Sequence, residues 1–175
     1  MDIVALTIFP ELFQTFWEHG IIKRAMETGK ITGTALNIRD FATDKHHSTD
    51  DRPYGGGSGM VMLPEPLALA IEKARSRAEG ARTLLLTPQG TVLNQKKAVE
   101  LSRERGLILV CGRYEGVDER ICEDFIDEEL SIGDFVLTGG ELAAMVVIEA
   151  VIRHLPGVLG AEDSAEKDSF TDGLL

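Results

Sequence analysis

Three short stretches carry the residue types best suited to hold a ligand: TPQG (residues 87–90), GRYEG (112–116) and SIGDFVLTGG (131–140). Each follows a segment that reads as a strand, and each contains glycine. A glycine has no Cβ, so main-chain amides and carbonyls there approach a flat ligand closely. One such turn says little. Three of them at strand ends predict a pocket built from main chain, because open α/β sheets bind ligands outside the carboxyl ends of their strands. The middle stretch is the most abrupt: the apolar run LILVCG breaks directly into Arg113, Tyr114 and Glu115.

Other chemistries fit less well. GGGSGM (55–60) lacks the Lys-Ser/Thr of a P-loop, does not match Gly-x-Gly-x-x-Gly in register, and falls in a loop. A triphosphate site and a standard dinucleotide site are thereby set aside, while an adenosine-like ligand with a short tail stays open. His46 and His47 are adjacent among Asp44, Asp50 and Asp51 without metal-ligand spacing, and a solvated polar loop is the favoured reading. His19 and His154 each stand alone. Cys111 and Cys122 form no Cys-x-x-Cys pair, and Cys111 closes an apolar strand as a reduced core residue. No local Ser/His/Asp or Cys/His arrangement is present.

Strands alternate with helices along the chain. DIVALTIF reads as a strand, and Leu12, Phe13, Phe16 and Trp17 mark one face of a helix after Pro10. IIKRAMETG is a helix stopping at Gly29, and TALNI a strand. Residues 39–62 form a long polar loop, of a length usually reserved for function or disorder. EPLALAIEKARSRA is a helix and RTLLLTPQG a strand ending in a hard turn. NQKKAVELSRERG is a helix with Asn94 as N-cap and Gly106 as stop. LILVCG is the most hydrophobic strand, DERICEDFI a short helix, and residues 140–157 the longest helix, apolar almost all round and therefore buried. This order predicts an α/β domain with a mostly parallel sheet flanked by helices.

The 175 residues suffice for one real core, and 43% hydrophobic with 27% charged residues is ordinary for a soluble globular protein. No apolar run reaches membrane-spanning length, and the N-terminus carries Asp2 where a secretory signal carries Lys or Arg, so the chain reads as cytoplasmic. Net charge is −11, the wrong sign for a simple nucleic-acid binder. The charge is uneven: residues 115–134 hold nine acids and one Arg, residues 72–105 eight Lys/Arg and four acids. A polyanion would dock on the second stretch if the two form separate faces.

In order, DDRPYGGGSGMVM, LTPQG, LVCGRYEGVDER, SIGDFVLTGGELAAMVVIEAVIR, LPGVLG and DSFTDGLL closely resemble the bacterial tRNA (guanine-N1)-methyltransferases of the SPOUT class, across essentially the whole chain. Ser58 and Phe135 depart from the Pro and Tyr common there. The resemblance implies a deep trefoil knot in the C-terminal half of a domain spanning residues 1–160. It implies S-adenosyl-L-methionine as methyl donor, held by Leu86, Thr87, Pro88, Gln89, Gly90, Gly112, Glu115, Ile132, Gly133, Leu137, Gly139 and Gly140. The acceptor would be N1 of guanine 37 of tRNA, with Asp168 as the base that takes its proton and Arg153 stabilising charge on O6. Read alone, Asp168 is only an N-cap and Arg153 only a helix-end cation. Magnesium, with Glu115 helping to hold it, and a homodimer are also implied. Residues 161–175 would begin a linker to a tRNA-binding domain that this chain lacks. The rival class is a non-catalytic adenosine-ligand or RNA-binding module on the same pocket.

Overall fold

The computed structural model describes residues 1–53, 55–57, 59–159 and 169. Its centre is strand β6 (Gly106–Cys111), whose six residues are all buried. It is flanked in parallel by β1 (Asp2–Thr7) and β5 (Arg82–Val92), with β2 (Thr32–Asn37) beyond β1 and β7 (Glu128–Ser131) beyond β5. All pairs in this five-stranded sheet are parallel, as expected of strands joined by helices.

Alternation along each strand sends side chains to two helical layers. Ile3, Ala5, Leu84, Leu107 and Leu109 meet α1 (Leu12–Trp17), α2 (Gly20–Glu27), α4 (Gln95–Leu101) and α6 (Glu141–Ile152). Val4, Leu6, Leu85, Ile108 and Val110 meet α3 (Pro64–Arg77), α5 (Glu119–Phe125) and a 3-10 turn at Ile38–Phe41. The expected α/β architecture is present.

Several local expectations need correction. Asn94 does cap α4, accepting from the Lys97 amide at 2.9 Å, but the helix ends at Leu101 and Gly106 opens β6 instead of stopping α4. A turn through residues 102–105 intervenes, because β6 must start beside Asp2 on β1. Residues 39–62 are not one long loop. They contain the 3-10 turn and an antiparallel ribbon of β3 (Asp50–Asp51) and β4 (Val61–Met62), anchored by fully buried Met62. The longest helix is α3 with 14 residues; α6 has 12. Nor is α6 buried all round. A helix lying on a sheet covers only one side, so Ala144, Val147, Ile148, Val151 and Ile152 are buried while Leu142 and Val146 are 60% and 46% exposed.

The two charged stretches are not separate faces. Arg82 meets Glu128 at 2.8 Å and Glu100 at 2.9 Å, and Lys97 meets both Glu100 and Glu128 at 3.0 Å. The basic stretch thus spends part of its charge on a carboxylate of the acidic one. Among the described residues, no helix is long and apolar enough to cross a membrane.

Candidate functional site

The three glycine-bearing turns converge at one end of the sheet, two of them beyond the carboxyl ends of β6 and β7 and one within β5. On β5 the cause is visible in the ladder: Leu86 and Thr91 both pair with Leu130, so residues 87–90 loop out and the strand then resumes. The hard turn after Leu86 is therefore an excursion within β5, not its end. From β6, residues 112–117 turn outward and are held from below by the short ribbon. The Glu115 amide donates to the Met60 carbonyl at 2.9 Å, and the Met62 amide to the Gly116 carbonyl at 3.0 Å. After β7, the Ser131 hydroxyl and the Gly133 amide lie 3.1 Å apart, and the Phe135 amide donates to the Gly133 carbonyl at 2.9 Å.

Between these loops lies a pocket of about 330 Å³. Leu86, Thr87, Pro88, Gln89, Gly112, Glu115, Ile132, Gly133, Leu137, Gly139 and Gly140 all line it. Gly90, the remaining residue of the expected set, does not. It backs onto the β7 main chain at Glu129 and Leu130, where any side chain would overlap. Arg153 is at the C-terminal end of α6 and does not line the pocket. Thirteen residues separate it from Gly140, which at the helical rise is about 20 Å. Asp168 lies outside the described residues.

The wall also contains residues that motif reading passed over, including Arg113, Tyr114, Glu119, Cys122 and Phe135. Arg113 and Tyr114 stand inside GRYEG itself, so their adjacency to glycine was the available signal. Tyr114 has a φ of +62°, an uncommon left-handed backbone for a tyrosine. Behind the wall, the Glu141 carboxylate is buried and bound by Arg113 at 2.9 Å and by the Thr7 hydroxyl at 2.7 Å.

Both thiols are held in their protonated form at neutral pH. Burial pushes Cys111 well above its ordinary value, and burial with the nearby Glu129, Glu119 and Asp118 carboxylates pushes Cys122 up to about 11. Asp118, the N-cap of α5, is held down at about 2 by its hydrogen bonds from Arg120. Among the described residues no group of three or more His, Cys, Asp or Glu side chains is placed to hold a metal ion.

A parallel sheet with a pocket at its strand ends defines an α/β domain of the class that binds ligands there. The model of the family tRNA (guanine-1)-methyltransferase TrmD matches residues 1–175. The tRNA (guanine-N(1)-)-methyltransferase of Desulfatibacillum aliphaticivorans is 55% identical over 175 residues, 100% of this chain and 67% of that one. The protein of the same name from Geotalea uraniireducens is 58% identical over 170 residues, 97% of this chain and 69% of that one. The crystal structure of tRNA (m1G37) methyltransferase from Aquifex aeolicus superposes with a TM-score of 0.85 at 43% identity, covering 92% of this chain and 72% of that one. The chain belongs to the tRNA (guanine-1)-methyltransferase family.

Proposed function

We propose that this chain methylates N1 of guanine 37 in tRNA, with S-adenosyl-L-methionine as donor. The pocket carries the reading: three glycine-bearing turns at one end of the sheet enclose a site lined by glycines, apolar side chains, the carboxylate residues Glu115 and Glu119, and Arg113, whose charge is matched by Glu141. It fits the donor on two counts. A Cβ on Gly140 would come within 2.8 Å of the Cys111 Cα, so this part of the wall carries no side chain and a ligand can approach its main chain. The two carboxylates favour a cationic ligand.

When bound, the donor supplies a methyl group on cationic sulfur. The remaining tasks fall to the chain. The 87–90, 112–117 and 133–140 loops orient the donor and keep water from it. Guanine N1 carries a proton and is a poor nucleophile until it leaves; the Asp168 carboxylate takes it, and Arg153 meets the negative charge developing on O6.

Arg153 is too far along α6 to serve the pocket of its own chain, so the reading includes a two-fold dimer in which a second copy completes each site. The exposed apolar side chains support it: Leu142 and Val146, one helical turn apart on α6, and Phe135, Val136 and Leu137 at the pocket are all exposed. The reading also includes the trefoil knot. In its support, the chain leaving β7 returns across the ends of β5 and β6, where Gly140 packs on Leu86 and Cys111.

Methyl transfer to tRNA carrying guanine or adenine at position 37, with N1-methylguanosine read by mass spectrometry, tests the assignment. Product with guanine only is expected. Asp168→Asn should keep donor binding and lose transfer, whereas loss of both would make Asp168 structural. Sedimentation showing only a 19.1 kDa species at micromolar concentration would remove the dimer from the reading.

A further inference from the structure

We propose that Arg113 and Glu141 are positioning residues that lock the two glycine loops of the pocket at the spacing the methyl donor requires, an inference that rests on the donor reading above. Arg113 belongs to the 112–117 loop, and Glu141 directly follows the 133–140 loop as the first residue of α6. Glu141 is 1% exposed, and both of its carboxylate oxygens are hydrogen-bonded. Arg113 Nε reaches its two oxygens at 3.1 and 3.2 Å, Arg113 Nη2 donates to Oε2 at 2.9 Å, and Thr7 Oγ1 donates to Oε1 at 2.7 Å. The guanidinium lies 4.6 Å from the centre of the Phe9 ring, which ties the pair to the end of β1. Main chain follows the same path: Arg113 bridges Gly139 in antiparallel fashion, and the Gly140 amide donates to the Gly112 carbonyl at 2.9 Å. A side chain at Gly139 would overlap Arg113 Nε and Glu141 Oε2, so the ion pair fills the space the glycine leaves.

Stability does not explain the pair. Replacing a buried ion pair with apolar residues of similar volume is often neutral or stabilising. What an apolar pair lacks is direction: a forked guanidinium meets a carboxylate in few arrangements. The 112–117 and 133–140 loops meet at Gly112, Gly139 and Gly140, which have no side chains with which to set the spacing there. Donor affinity then depends on how well those loops are held before binding.

Two variants separate positioning from scaffolding, each measured by calorimetry with S-adenosyl-L-methionine and by denaturant unfolding. Arg113→Met with Glu141→Leu replaces the pair by apolar volume, and Arg113→Lys keeps the charge without the fork. The double variant leaves the buried Thr7 hydroxyl without its acceptor, so its midpoint is expected to fall modestly, while donor binding is expected to weaken on the order of tenfold. Arg113→Lys is expected to lose affinity by a smaller factor at a nearly unchanged midpoint. A folded double variant with unaltered affinity overturns the inference. If the double variant does not fold, Arg113→Lys decides: a lowered midpoint with unchanged affinity overturns it, and lowered affinity at an unchanged midpoint supports it. An unaltered chain that binds no donor overturns the donor reading itself and this inference with it.

Discussion

Gly140 has an ordinary backbone, with φ of −79°, and no room for a side chain; Gly56 has φ of +86° and nothing within 4 Å of where a Cβ would sit. At Gly140 in the pocket wall, glycine is required because Leu86 of β5 and Cys111 of β6 have already taken the space. In the loop before β4, glycine is required by the local turn of the chain, whatever surrounds it. Gly59 stands between these extremes. Its φ is +88°, and a Cβ there would meet the Glu115 side chain at 2.5 Å. The loop therefore touches the pocket through Glu115, whose amide also binds Met60. Substitution cost should rise from loop to wall, and effects on ligand binding should rise more steeply than effects on stability.

The largest effect is expected from Gly140→Val. The Cβ would lie 2.8 Å from the Cys111 Cα and 3.1 Å from the Gly112 nitrogen, which are main chain and cannot swing aside. Stability should fall by about 1–3 kcal/mol, as in other overpacked cores, and donor binding should become undetectable by calorimetry. Normal binding would erase the contrast between wall and loop. Gly59→Ala comes next. Glu115 is flexible and gives way, so denaturant unfolding should show a loss of about 1–2 kcal/mol from the left-handed backbone. Methyl transfer should fall on the order of tenfold, because a pocket carboxylate has moved. Gly56→Ala should show the same backbone penalty, about 1 kcal/mol, with donor affinity unchanged. A clear affinity loss there would place the loop tip in the donor site.

The smallest effect sharpens the wall itself. The Cys122 thiol titrates at about 11 in the fold against an ordinary value near 9. Above pH 9 the unfolded chain loses this proton while the fold retains it, so the folded state is increasingly disfavoured. The stability contribution is complete below pH 9 and is lost as pH rises towards 11. Unfolding midpoints followed from pH 8 to 11 should decline less in Cys122→Ala than in the unaltered chain.

Legibility in the sequence followed the same division. LILVCG was readable as a core strand because six consecutive apolar residues leave no other place for it. Asn94 was readable as a cap because its partner, the Lys97 amide, is three residues away. The three turns were readable as ligand loops because glycine beside a strand end has few other uses. Gly90 was assigned with its neighbours, yet its constraint comes from β7, some 40 residues further on, and the excursion in β5 turns it away from the cavity. The Arg113–Glu141 pair was invisible because its members are 28 residues apart and Thr7 is 134 residues from Glu141. Separations of that size leave no periodic trace.

The sequence by itself determined the strand–helix alternation, the buried strands and the glycine turns, all of which depend on neighbours within a few residues. Tertiary structure decided which of those glycines face the pocket, that α6 exposes Leu142 and Val146, and that Glu128 pairs with both Arg82 and Lys97. Each is settled by what another element occupies: β7 behind Gly90, a sheet on only one side of α6, and an edge strand beside α4. Local propensity carries no record of such occupancy, because volume and charge are shared between segments that meet only after the chain has folded.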